Sequence, residues 1–180
     1  FTYTRDETNH FADILLPDAV DLESLQLIRV GGTKFVEQFW NHQGFALRQP
    51  VVASQGEARD FTEIASELAA RCGLEREYLA AINRGVACVP LKGPGWNVEL
   101  DPSRGHSREA IWDAVCRAAS AELTDGREQH GLDWWKEHGL QTKPFPQLDW
   151  YLLPTLVAQG LRYELPYQER LLRIGAELGA

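Results

Sequence analysis

A chain of 180 residues with 18 Lys and Arg against 26 Asp and Glu carries a formal net charge of −8, and its 44% hydrophobic and 10% aromatic residues suffice to bury a core. That balance excludes disordered and low-complexity architectures. A sequence pI near 5.1 without a Lys/Arg cluster excludes a dedicated binder of phosphate backbones, so no nucleic acid is expected as a partner.

The longest apolar runs, Ile14-Leu15-Leu16 and Tyr151-Leu152-Leu153, fall far short of the roughly 20 residues that span a bilayer. The first residues, FTYTRDETNH, have neither a basic nor an apolar signal region, and the chain holds no Met, which makes a processed or cut product the expectation. Cys72, Cys88 and Cys116 match neither a paired disulfide framework nor CxxC metal spacing and read as free thiols. Cys72 and Cys116 fall on apolar helix faces, where a small buried side chain is expected.

In chain order, Ala12 to Leu16 is a short apolar run closed by Pro17, which reads as a buried strand and a turn. FALRQPVV at 45–52 reads as a second extended segment that Pro50 places at an edge. Asp60 to Cys72 is the clearest helix, because Phe61, Ile64, Ala65, Leu68, Ala69 and Cys72 recur on one face. Asp60 and Glu63 resemble a capping box, Glu67 and Arg71 form an i,i+4 pair, and Gly73 stands where a C-terminal cap belongs.

Glu75 to Asn83 reads as a short helix, and the Pro- and Gly-dense VACVPLKGPGWNVELDPSRG as a long connection with a boundary near residue 86. Ser107 can cap a helix to about Leu123, and Gly131 to His138 forms another that Gly139 stops. Pro166 opens a last helix carrying Tyr167, Leu171, Ile174 and Leu178 on one face, after the irregular, aromatic TKPFPQLDWYLLPTL. The fold class is therefore α/β, a small mixed unit followed by a helical, aromatic-rich segment.

Metal and nucleophile signals are absent. The histidines form no HxxxH and no close Cys/His pair, and His130 and His138 lie roughly 80° apart around an ideal helix, so both are expected to face solvent. No GxSxG occurs, and Gly31-Gly32 does not continue into GxGxxG. Close acidic pairs such as Asp18 and Asp21 are expected by chance. Trp134, Trp135, Trp150 and Tyr151 read as packing residues.

One ordered series goes further: ETNHFADILLP at 7–17, Glu23, RQPVV at 48–52 and the helix start GEARDF at 56–61. It resembles the molybdopterin oxidoreductase family, the large subunits that carry a bis-(molybdopterin guanine dinucleotide) cofactor with molybdenum, over residues 1 to about 85. Within that family RQPVV is similar to the polysulfide, thiosulfate and arsenate reductase branch. ESLQLIRVGGTKF, ELTDGRE and ELPYQERL are most similar to the phenylacetyl-CoA:acceptor oxidoreductases, which form phenylglyoxylate.

The resemblance implies that residues 1–85 are the C-terminal half of a Rossmann-like domain holding the guanine end of one dinucleotide, with 86–180 a helical connecting or insertion segment. It implies Asp60 as the carboxylate that grips guanine through its N1–H and N2–H₂ edge, although the same carboxylate can cap its own helix. Asp18 matches a position that is usually Ser or Thr and touches the dinucleotide, Thr2 replaces a frequent Asp, and Ser24 a frequent Lys. No residue is assigned a catalytic role.

The family's iron-sulfur cysteine cluster, molybdenum ligand and C-terminal barrel have no counterpart among these 180 residues. A fragment inactive alone is expected, partnered by the remainder of the catalytic subunit, an iron-sulfur electron-transfer subunit and a membrane anchor. An acyl-CoA substrate would place it at the cytoplasmic face of the membrane. The alternative is a non-catalytic α/β nucleotide-binding or interaction module.

Overall fold

The structure, a computed structural model, describes residues 1–4, 6–31, 42–144 and 177. The chain divides into one unit of Phe1–Val30 with Gln43–Lys143 and another of Gly31–His42 with Pro144–Ala180. The expected last helix, Trp150 and Tyr151 lie outside the described residues.

The N-terminal stretch is held by side chains more than by ladders. A 3-10 turn at Thr8–Phe11 follows Asp6, whose Oδ1 accepts the Asn9 amide at 3.0 Å, and Asn9 Nδ2 donates back to the Thr4 carbonyl at 2.7 Å. Residues 12–16 form no strand, contrary to expectation, and Phe11 and Ile14 are 92% and 78% exposed. Among the described residues the stretch pairs only at its end, where the Leu16 carbonyl accepts the Thr2 amide and Pro17 and Asp18 form isolated parallel bridges with Thr2 and Arg59. Proline has no N–H to donate, so the pairing cannot spread through it.

Strands β1 (Gln26–Gly31) and β2 (His42–Arg48) share a three-stranded sheet with β5 (Leu140–Pro144), in the order β1-β2-β5. Gly44 is required in β2: a Cβ there would collide with the Gln141 carbonyl oxygen and Thr142 Cα of β5.

Helix α1 (Phe61–Arg71) starts and ends as its sequence predicts. Asp60 caps it by accepting the Thr62 amide, and the Arg71 guanidinium pairs with Glu67 one turn away. Gly73, at φ 71°, closes it with a Schellman pair, Leu74 N–H to the Ala69 carbonyl at 2.8 Å and Gly73 N–H to the Ala70 carbonyl at 3.1 Å. Its buried face differs from the expected one: Thr62, Ile64 and Ala69 turn inward, while Phe61, Leu68 and Cys72 are exposed. The cause is polar, since Trp112 Nε1 in the core donates to Thr62 Oγ1 at 3.2 Å and draws that side of the helix in.

Helix α2 (Glu75–Asn83) follows directly. The next stretch is more ordered than its Pro and Gly content implies. Strands β3 (Lys92–Gly93) and β4 (Trp96–Asn97) form an antiparallel hairpin over Pro94 and Gly95, the latter at φ 87°. Val89, Leu91 and Leu100 from this stretch enter the same core cluster as Leu25, Leu79 and Trp135, so packing runs continuously across position 86.

Helix α3 (Arg108–Thr124) is the centre of that core. Ser107 caps it by accepting the Ala110 amide, as expected, and Val115, Cys116, Ala118 and Ala119 are fully buried. A helix apolar around most of its circumference belongs inside. Helix α4 (Leu132–His138) borrows its start from α3: Asp113 Oδ1 accepts the Leu132 amide at 2.8 Å. A Cβ on Gly131 would sit 2.5 Å from that oxygen, so glycine is what admits the bond. Gly139, at φ 72°, ends the helix. The described residues thus form a mixed α/β architecture.

Candidate functional site

A cleft of about 410 Å³ opens beside the N-terminus of α1. Its rim comes from Tyr3, Asp18 and Asp21, its wall from Ser24, Gln26, Arg48 and Asp60, and its floor from Ile82 of α2 with Ile111 and Trp112 of α3. An apolar floor below a few placed polar groups is the usual form of a small-molecule site. Three of the four residues singled out by the sequence, Asp18, Ser24 and Asp60, line it although they span 42 positions. The fourth, Thr2, stands one layer behind: its carbonyl accepts the Asp18 amide at 3.0 Å and its amide donates to the Leu16 carbonyl at 3.1 Å.

Asp60 is 3% exposed, and both its oxygens are engaged. Oδ1 accepts the Thr62 amide and Oδ2 the Leu25 amide, each at 2.9 Å, with Arg108 Nη1 at 3.9 Å from Oδ2. This carboxylate joins the start of α1 to the segment entering β1. Its capping role is therefore realised, and few of its lone pairs remain for a ligand.

Asp18 is the better-placed acceptor, half-buried on the cleft rim. Burial pushes its carboxyl above the ordinary Asp value, the Ala19 amide opposes this, and the nearby Asp60 charge pushes it further up. Ser24 is 7% exposed and receives Arg48 Nη2 at 2.9 Å. The same Nη2 donates to Gln26 Oε1 at 2.7 Å, while Nη1 meets Asp21 Oδ1 at 2.5 Å. Gln26 and Tyr3 carry no mark in the sequence, and Arg48 enters it only as the first residue of RQPVV, without a site role. The available signal was a lone arginine at the end of an extended segment in a chain whose 18–23 stretch carries three acids.

Charge sets what the cleft can take. Its lining holds Asp18, Asp21 and Asp60 against Arg48, and an excess of carboxylates suits the donor-rich edge of a neutral ligand and repels an anion.

In a second cluster His138 is exposed as expected and His130 is half-buried, but the two rings converge. His130 and His138, one turn before and one turn after Trp134, both stack on its indole, at 4.0 Å and 9° and at 4.1 Å and 7°. The azimuth between the histidines hid the shared platform between them. His130 Nε2 also lies 3.1 Å from Glu128 Oε2, and His138 Nδ1 lies 2.9 Å from the Trp134 carbonyl.

Among the described residues no group of three or more His, Cys, Asp or Glu is placed to hold a metal ion. Burial pushes the Cys88 thiol up to about 11 and the Cys116 thiol up to about 12, so neither is poised as a nucleophile. Comparison with protein-family models, with curated proteins and with solved structures yields no match for this chain.

Proposed function

We propose that this chain is part of the catalytic subunit of a molybdopterin-dependent oxidoreductase, in which the cleft receives the guanine end of the molybdopterin guanine dinucleotide and the strands beside it belong to a Rossmann-like unit. The observation that carries this reading is the convergence of Asp18, Ser24 and Asp60 on one cleft. The donor chemistry fits the base: guanine presents N1–H and N2–H₂ to an acceptor, and a carboxylate takes both in a charge-assisted pair. Asp18, with its acceptors less committed than those of Asp60, takes that role. The diphosphate does not fit among three carboxylates and lies outside the cleft.

When bound, molybdenum and pterin supply the redox chemistry. The residues of this chain orient the guanine end, with Thr2 fixing the Asp18 backbone and Asp60 fixing the wall. Oxidation of phenylacetyl-CoA to phenylglyoxylate by the intact enzyme, the iron-sulfur and membrane-anchor partners, and a polysulfide, thiosulfate or arsenate reductase-like alternative follow from the sequence resemblance alone.

One observation favours a second reading, a non-catalytic nucleotide-binding or interaction module: Asp60 is committed to the backbone on both oxygens. Calorimetric titration of the 180-residue chain with GMP and AMP separates the two. The first reading expects GMP to bind at least about tenfold more tightly, and Asp18→Asn to weaken GMP by about 10- to 100-fold, the range of a hydrogen bond to a charged group. Equal binding of both nucleotides, or binding of neither, overturns it.

A further inference from the structure

We propose that Arg48 is a positioning residue that sets the hydrogen-bond polarity of the cleft wall, making Ser24 and Gln26 donors beside the Asp18 acceptor, so that the cleft prefers an oxo group over an amino group at purine position 6. The inference rests on the nucleotide reading above and assigns the discrimination to Arg48, the first residue of the RQPVV segment, to which the resemblance attaches no role.

A guanidinium has donors and no acceptor. Arg48 Nη2 carries two hydrogens and has two oxygens within reach, Ser24 Oγ at 2.9 Å and Gln26 Oε1 at 2.7 Å. Ser24 must therefore accept, which leaves its own hydroxyl hydrogen to point elsewhere. Gln26 must present its carbonyl to the arginine, which turns its NH₂ group away. One cation thus fixes a rotor and an amide flip that would otherwise be free.

Arg48 is itself held firmly. Asp21 takes Nη1 at 2.5 Å, the side chain is 26% exposed, and its Nε is buried with no hydrogen-bond partner among the described residues. The fork cannot rotate without breaking contacts to three oxygens. The lining then offers donors from Ser24 and Gln26 together with the carboxylate of Asp18. Guanine matches this set, with O6 accepting and N1–H and N2–H₂ donating. A 2,6-diaminopurine keeps N2–H₂ but sets an amino group where O6 stood, donor against donor, and turns N1 into an acceptor that faces the Asp18 carboxylate, so two polar contacts are lost and the Arg48 variants act on the first of them.

The experiment is the ratio of affinities for GMP and 2,6-diaminopurine riboside monophosphate, measured by calorimetry on the wild-type chain and on Arg48→Met, Arg48→Lys and Gln26→Glu. Arg48→Met frees the serine rotor and the amide, and the ratio falls by about tenfold. Arg48→Lys keeps donors without the fork and restores part of it. Gln26→Glu changes an exposed side chain, still accepts from Arg48 and offers no donor, so it lowers the ratio with the fold intact and keeps the test valid if Arg48→Met fails to fold. If both affinities fall together at constant ratio, Arg48 is only structural and the inference is overturned. If the wild-type chain binds neither ligand, the nucleotide reading itself fails and takes the inference with it.

Discussion

Around α3 and α4 the contacts are apolar and nearly complete: Trp135, Val115, Cys116 and Ala118 are fully buried, and Leu132 is 3% exposed. Around the cleft the chain is held by hydrogen bonds between distant positions. Asp60 reaches Leu25 across 35 residues, and Arg48 reaches Asp21, Ser24 and Gln26 across 27, 24 and 22. Apolar packing is non-directional and fills its own space, leaving nothing to offer a ligand. A wall built from directional bonds keeps its remaining donors and acceptors in fixed orientations, which is the preorganisation that a binding site needs.

The largest break in this comparison comes from the packed side. Trp135→Ala is expected to cost about 3–5 kcal/mol, as large-to-small changes of buried aromatics do, and to lower the urea midpoint without changing the binding ratio of correctly folded protein. Trp135→Phe should cost much less. The Trp135 Nε1–H is buried without a partner among the described residues, and phenylalanine removes that group while keeping most of the volume. A cost below about 1 kcal/mol for the alanine variant, against the usual range for buried aromatics, would mean that α4 is not part of the core.

The next effect belongs to the cleft wall. Asp60→Ala removes the cap of α1 and leaves the Leu25 amide buried and unpaired, so the two losses together cost about 2–4 kcal/mol. Asp60→Asn keeps one carbonyl oxygen and turns an NH₂ toward the other amide, for roughly half that cost. Amide hydrogen exchange distinguishes this from a general loosening: Leu25 and Thr62 should lose protection in Asp60→Ala while Val115 keeps its own. Uniform loss across all three would show that the wall and the core are one cooperative unit with no separate polar anchor.

What could be read from the sequence follows the same division. Caps and periodicity are local, so α1 with Asp60, Gly73 and the Glu67–Arg71 pair, α3 with Ser107, and α4 with Gly139 stand where residue spacing puts them. The buried side of α1 was misread because Thr62 is drawn inward by Trp112, fifty residues away, and no helical pattern contains that bond. Ala12 to Leu16 has the composition of a strand without a neighbour that could pair beyond Pro17 and Asp18. In the cleft, positions 18, 24 and 60, which only the resemblance connects in the sequence, share one lining, and their division of duties is set by the fold: Asp60 serves the backbone and Asp18 stands on the rim. Arg48 stands at the head of RQPVV in the sequence, but its role is not legible there because its partners Asp21, Ser24 and Gln26 are assembled only by the fold.

The smallest effect is also the one that sets stability against binding. The Asp18 carboxyl is raised by burial and by the neighbouring Asp60 charge, so the folded chain holds its proton more tightly than the unfolded chain does. Its stabilising contribution is therefore complete below the ordinary Asp value near 3.8 and is lost as pH rises through the higher folded value. Asp18→Asn abolishes that loss. It should match the wild type most closely near pH 3, gain on it as the pH rises, and be more stable at pH 7 by no more than about 1 kcal/mol, because the group is largely solvent-screened. Urea unfolding at pH 3, 5 and 7 reads this directly, and a gap that widens as pH falls would reverse the assignment. The same variant should lose guanine affinity, since an amide offers one acceptor where a carboxylate offers two. A substitution that steadies the fold while weakening the ligand marks a group kept in an unfavourable place for binding, and the other side of the comparison offers the control: Ala119, buried in α3 with no ligand role, should show no such trade-off when replaced.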